Sequence, residues 1–344
     1  MNKTNIIKGI SAKFIDKINE KPILRLTLIG LGILWMIMIP RLGASSFFIR
    51  VLTMIGLYTI LALSLNLITG YTGQVSIGQA GFCAIGAYTS ALLNVNFGLN
   101  YFITSLCGAL MAGLFGFLLG LPTLRLSGPY LTIATLGFGE IVRMIALNFD
   151  KLTNGPLGIS GIQRPLIFGF QLTALNGGFY YLVWALVILI TLFLYAIVRS
   201  KMGRALMAIR DDELVATLMG IKTTRYKVAA FSISAVIAGI GGSFYAHMIR
   251  YIDPNTFNFD ISILIISIVI LGGMGTIRGM FVGAALLISF PEILRFASAY
   301  RFVIYGLILV IMIRFRPQGL FGGQSSAKYV LPKGVKVGAK DGIA

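Results

Sequence analysis

Charge is what this sequence has least of. Only 12% of its 344 residues are Asp, Glu, Lys or Arg, against 57% hydrophobic, where a soluble domain carries roughly 25% charged residues. A soluble chain of this length must cover its surface with polar groups, and this one lacks them; its solvent is lipid. Histidine occurs once, at His247, which excludes a multi-histidine metal centre. The two cysteines, Cys83 and Cys107, sit inside apolar runs without the neighbours of a metal or redox pair, and read as small buried residues. A phosphate loop of the form G-x-x-x-x-G-K-S/T is missing, so any ATP hydrolysis must come from another polypeptide. A nucleophile with its base and orienter is missing too, as is a buried chain of carboxylates. The first absence argues against an enzyme and the second against proton or sodium coupling.

What the sequence does have is long apolar runs bounded by positive charge. The net charge of +18 does not form a basic stripe on a polar domain. It flanks apolar segments, which is how topology is encoded in membranes, so the expected partner is membrane lipid and not nucleic acid. A helix needs about 20 apolar residues to cross the hydrocarbon. Runs of that kind occur at roughly 23–40, 47–69, 77–95, 101–121, 128–149, 179–199, 226–249, 258–272, 279–295 and 301–315. The fold class expected is therefore an all-α polytopic membrane protein of about ten transmembrane helices, eight at the least. The third run is rich in Gly and Ser and the eighth is short, so either is a candidate for a re-entrant or broken segment.

Lysine and arginine orient these spans. One cluster precedes and enters the first span (Lys3 to Arg25), a second lies at 199–227, and a third runs from Arg314 to Lys340. An even number of spans separates each from the next, so all three share one face, which the positive-inside rule makes cytoplasmic. The organisation expected is a cytoplasmic basic tail (1–22), six spans (23–199) with an external loop at 150–178, a cytoplasmic segment (200–225), four more spans (226–316) and a cytoplasmic tail (317–344). The first 22 residues are polar and basic, with no small-residue cleavage site, so the first run is expected to stay as an anchor. The external loop is rich in turn formers such as Asn154-Gly155-Pro156, and reads either as an ordered element that meets a partner or as a connector.

Within the membrane, helices associate through close backbone contact at small residues. Gly108, Ala112, Gly116 and Gly120 form such a stripe, as do Ala238 and Gly242, and Gly275, Gly279 and Gly283. Two glycine-rich stretches go further, one at 70–81 and one at 271–279. Each glycine costs a helix roughly 1 kcal/mol, so both stretches should bend or break helices. Gly73, Gln74, Ser76 and Gln79 in the first, and Gly273 and Gly275 in the second, are candidates for a hinge or for path backbone. Intramembrane charge is sparse. Glu140 and Arg143 lie three apart on one helical face, and read as a structural ion pair, or else as lining of a path or an outer gate.

The segment 200–225 is too polar to span. Asp211 or Asp212 can cap a helix start, Gly220 can end it, and Leu214, Leu218 and Ile221 fall on one face. The product is a short amphipathic helix or pair, which either docks in a groove of a partner protein or lies on the lipid surface.

This segment resembles the cytoplasmic loop of permease subunits of ATP-binding-cassette importers, with Glu213, Ala216 and Gly220 at the acidic, small and glycine positions and Leu214 where the general pattern has alanine. More closely, the chain resembles the M-type permease of the high-affinity branched-chain amino acid importers. That likeness rests on Leu63-Ser64-Leu65-Asn66-Leu67, on Gly70 to Ala80, on Ser127 to Leu136, on Asn154 to Ile159, on Gly203 to Gly220 and on Arg316-Pro317-Gln318-Gly319-Leu320-Phe321. The resemblance implies a type II importer permease with cytoplasmic coupling helices, in the bacterial cytoplasmic (inner) membrane. It implies a heterodimer with a sister permease, two cytoplasmic ATPases that bind ATP and Mg, no cofactor on this chain, and an extracytoplasmic amino-acid-binding protein. Leucine, isoleucine and valine are the implied solutes; urea and short-chain amide permeases share the same blocks, and a stand-alone secondary transporter is the rival class. ATPase coupling then falls to Gly203, Arg204, Arg210, Asp211, Asp212, Glu213, Ala216 and Gly220.

Overall fold

The computed structural model describes residues 45–123, 126, 128–167, 170–172, 177–293, 306, 310, 314 and 319–322. The basic tail, the first expected span (23–40), nearly all of the tenth (301–315) and the tail beyond 322 lie outside the described residues.

The expected second to ninth spans correspond to eight helices: α1 (Ser46–Thr69), α2 (Gln79–Phe97), α3 (Tyr101–Thr123), α4 (Pro129–Asn148), α6 (Gly178–Arg199), α9 (Thr223–Ile249), α10 (Phe259–Gly272) and α11 (Ile277–Ile293). Between them lie the short α5 (Asp150–Thr153), α7 (Lys201–Asp211) and α8 (Glu213–Leu218). Five helices, α1, α3, α4, α6 and α9, are long and apolar enough to cross a membrane. The others depart from that pattern in two ways. At 19 residues α2 has the length, but it begins only at Gln79 and carries Ser90 and Asn94 on buried positions. With 14 residues, α10 reaches about 21 Å at 1.5 Å per residue, short of a hydrocarbon core of about 30 Å. The weak third and eighth runs are thus real helices that start or stop at the two glycine-rich stretches.

The bundle is organised around α1 and α9. Within its best apolar window α1 is 83% covered by the rest of the chain, while α4 is only 17% covered. Ser64, Leu65 and Leu67 on α1 are fully buried, as are Ala235, Ala238 and Phe244 on α9. Small residues explain the closeness. A Cβ at Gly242 would lie 2.8 Å from the carbonyl carbon of Cys83 on α2, and one at Gly239 would lie 2.7 Å from the Cβ of Ala112 on α3. Gly86 faces Gly239, and Gly116 faces Ala235. The stripes at 108–120 and 238–242 are therefore the seam joining α2, α3 and α9, and close packing is what lipid-embedded helices have in place of a hydrophobic driving force.

At one end of the bundle the chain between α4 and α6 folds over the helix ends. Residues Ile159–Ser160 (β1) pair antiparallel with Tyr251–Ile252 (β4), Ile159 opposite Ile252. A small hairpin, β2 (Leu166–Ile167) with β3 (Phe170–Gln171), follows β1 in the same loop. His247 Nδ1 lies 2.8 Å from the Gln163 carbonyl, and only a protonated nitrogen bonds there; its Nε2 is then free to accept from the Ser90 hydroxyl at 3.1 Å. Arg250 Nε donates to Ile162 O (3.1 Å) and the Gln163 amide donates to Asn94 Oδ1 (2.7 Å). Residues 159–163 of this loop are thus tied to α2 and α9. Helices α7 and α8 lie at the opposite end, between the end of α6 and the start of α9.

Candidate coupling junction and path face

Helix α7 starts because the Ser200 hydroxyl accepts from the Met202 amide (3.1 Å) and α8 because Asp212 Oδ1 accepts from the Val215 amide (3.0 Å). Gly220, at φ +81°, turns the chain back toward α9. In α7, Gly203, Ala205, Leu206 and Ile209 are buried, and Gly203 has no room for a side chain because the Val198 backbone of α6 occupies the space. Arg204 and Asp211 face outward, Arg204 donating to the Arg199 carbonyl at 3.1 Å.

In α8, Ala216 is buried while Leu214, Leu218 and Met219 just beyond it are 71%, 78% and 79% exposed. The remaining tie is ionic. Glu213 pairs with Lys227 on α9; the lysine side chain is 4% exposed and the glutamate 47%. Lys227, which by sequence belongs to the basic cluster that sets topology, is a buried cation holding α8 against the bundle.

Arg210 is exposed, but the tip of its side chain reaches back to the glycine breaks. Its Nη1 donates to the Gly70 carbonyl at 2.6 Å, where α1 breaks. Gly73 (φ +74°) has its missing Cβ position 3.1 Å from Arg210 Cγ, and Gly275 (φ +80°) has its own 2.7 Å from Arg210 Nη1. Both glycines adopt a conformation that L side chains avoid. The two breaks are joined to each other by Asn66 of α1, whose Oδ1 accepts from the Gly275 amide (2.8 Å) and whose Nδ2 donates to Thr276 O (3.3 Å). The Leu320 and Phe321 amides then cap the end of α10 by donating to Leu271 O (2.9 Å) and Gly272 O (3.1 Å), with Gly319 against Gly273. Four sequence blocks far apart in the chain thus meet at one knot.

A second polar cluster lies further along α1. Ser64 Oγ donates to Ser234 O (2.6 Å) and Ser234 Oγ to Ser64 O (2.8 Å), a reciprocal staple between α1 and α9. Gln79 at the start of α2 donates to both hydroxyls, 3.1 Å from that of Ser234. Ser76 is buried beside it, its Oγ 3.4 Å from the Gly78 amide. Gln74 is part-buried, and its Oε1 has no hydrogen-bond partner among the described residues.

The third group lies on α4. Arg143 Nε is 2.9 and 3.1 Å from the two Glu140 oxygens, and Arg143 Nη1 donates to Asn255 Oδ1 (3.1 Å). The ion pair expected from the spacing is formed. It does not face the core. Glu140 is 40% exposed and lines an open groove of about 640 Å³ with Leu136, Met144 and Phe149. Sequence reasoning missed Asn66, Ser64, Ser234, Lys227 and Asn255 as functional neighbours. A polar residue inside an apolar run, as Asn66 is within Leu63–Leu67, was the available signal.

A helical bundle with five helices long and apolar enough to cross a membrane, and with glycine breaks after α1 and α10, is the make-up of a multi-pass membrane protein. The chain belongs to the family described as branched-chain amino acid transport system / permease component, whose model matches residues 47–313. It is 40% identical over 315 residues to the high-affinity branched-chain amino acid transport system permease protein LivM of Escherichia coli K12, covering 85% of this chain and 73% of that one. A probable branched-chain amino acid transport permease protein LivM of Methanocaldococcus jannaschii is 26% identical, over 78% of this chain and 92% of its own. The fructose import permease protein FrcC of Rhizobium meliloti is 25% identical over 70% of each chain. No solved structure matches significantly.

Proposed function

We propose that this chain is the permease subunit of an ATP-driven importer for leucine, isoleucine and valine, working beside a sister permease, two ATPases and an extracytoplasmic binding protein. ATP and Mg belong to the ATPases. Helices α7 and α8 form the handle the ATPases move, which puts that end of the bundle in the cytoplasm of a bacterial inner membrane and the β1–β4 end outside. Together with the two outermost expected spans, at 23–40 and 301–315, the described helices make up a ten-span permease of the type II kind.

One observation carries this reading. Leu214 and Leu218 on α8, and Met219 just beyond it, are left uncovered, while the same helix is tied to α9 by the Glu213–Lys227 pair. A rigidly mounted apolar ridge is what a groove on a separate protein binds. The α4 face supports the same reading. An ionised pair in the membrane sits against protein or water, so a face carrying Glu140 away from this chain's own core belongs to a path shared with a second permease.

The test is to purify the chain with the subunits that accompany it from native membranes, and to measure ATP-dependent uptake of the three amino acids in proteoliposomes. Leu214→Glu with Leu218→Glu should release the ATPases and abolish uptake while the permeases remain in the membrane. Uptake by the purified chain alone, without ATP, would reject the proposal.

A further inference from the structure

The handle is covalently continuous with α6 and α9, and with neither of the broken helices. Yet both breaks lie against it. The carbonyl of Gly70 accepts from Arg210 Nη1 at 2.6 Å. The amide of Gly275 is held by Asn66 of α1, and the missing Cβ of Gly275 would fall 2.7 Å from the same Arg210 nitrogen and 3.1 Å from the Gly70 carbonyl oxygen. The side chain of Arg210 therefore fills the angle between the two breaks. It is a charged donor on a backbone acceptor, the stronger kind of hydrogen bond.

We propose that Arg210 is a strut: it carries displacement of the handle into the ends of α1 and α11 together, so that the two glycine breaks move as one unit. This rests on the reading of α7 and α8 as the handle and names the route by which its motion reaches the membrane. Arg210 is a positioning residue, acting through the Gly70 and Gly275 backbones. Without it, motion of the handle is delivered to α6 and α9 and leaves the broken helices behind. The planar guanidinium matters, because one face of the knot is a carbonyl and the other a glycine with no side chain. A lysine keeps the charge but lacks the planar group that lies between the Gly70 carbonyl and Gly275.

The experiment uses the whole importer in proteoliposomes and measures ATP hydrolysis and amino acid uptake together. Arg210→Gln should leave assembly and solute-stimulated hydrolysis within about twofold of the parent and lower uptake by about tenfold, the scale of one charged hydrogen bond. More ATP is then spent per molecule moved. Arg210→Lys should fall between. Gly275→Ala should also uncouple, and its defect should combine with that of Arg210→Gln less than multiplicatively, because its Cβ then no longer meets a guanidinium. Wild-type stoichiometry in Arg210→Gln overturns the strut, and so does a parallel fall in hydrolysis and uptake, which marks a merely structural role. The variant carrying Leu214→Glu and Leu218→Glu separates the two readings. If it fails while Arg210→Gln works normally, the strut alone is wrong. If it also transports normally, the handle itself is wrong.

Discussion

Replacing Gly242 by alanine, and separately Gly137, sets two identical chemical changes against each other on two helices. Each replaces a helix-interior glycine and so gains roughly 1 kcal/mol of helix propensity. Their surroundings differ. At Gly137 on α4 the new methyl meets nothing within 4 Å. At Gly242 it would lie 2.8 Å from the Cys83 carbonyl carbon and 3.1 Å from the Ala87 amide nitrogen, against an ordinary contact of 3.4–4 Å. These are backbone atoms, so no side chain can turn aside and α2 must part from α9. Separating packed surfaces by 0.5–1 Å forfeits about a quarter to a half of each contact, and overpacking of this kind costs about 1–3 kcal/mol. Gly137→Ala should therefore hold or raise stability, and Gly242→Ala should lower it by up to about 2 kcal/mol net of the propensity gain. Unfolding of the purified protein, followed by helical signal against denaturing detergent, reads the difference. If both variants shift the same way, close backbone contact is not what joins these helices.

Glu213→Gln leaves the Lys227 ammonium buried without its carboxylate, which should destabilise the handle by about 1–3 kcal/mol given the half-exposed glutamate; the added change Lys227→Met should recover most of that loss in the same denaturation assay. His247→Leu removes the link between α9 and Gln163, so amide exchange around 158–165 should quicken while that of α1 stays unchanged, as mass spectrometry of exchanged peptides will show. Glu140→Gln removes the anion beside Arg143 and should slow uptake with little effect on ATPase attachment, measured by co-purification. Cys107 should take up a maleimide probe in detergent faster than the buried Cys83.

Long apolar runs made α1, α3, α4, α6 and α9 readable in the sequence, because hydrocarbon thickness sets a minimum length that few other structures need. The short helices α7 and α8 were readable too, since Asp212 and Gly220 are a helix start and stop with a local mechanism that requires no partner. What could not be read was which blocks meet. Nothing in the linear order places Asn66 beside Gly275 or Arg210 beside Gly70; those pairings come from how helices pack. The two glycine stretches were expected to bend or break helices, and each ends a helix at the same knot. Lys227 shows the opposite difficulty. By sequence it counts among the charges expected to set topology, and its burial against Glu213 is a tertiary fact. The two-residue strands β1 and β4 are too short to show any alternation, so the ordered loop had no signature beyond its turn formers.

The pairing of β1 with β4 constrains how this chain can deform. It rivets the far ends of α4 and α9 through Ile159 and Ile252, and the side chains of Asn94, His247 and Arg250 clench the same rim. The glycine knot lies at the opposite rim. The end of α9 and the chain that follows α4 therefore cannot part at the riveted rim unless the backbone pairing of Ile159 with Ile252 is broken first.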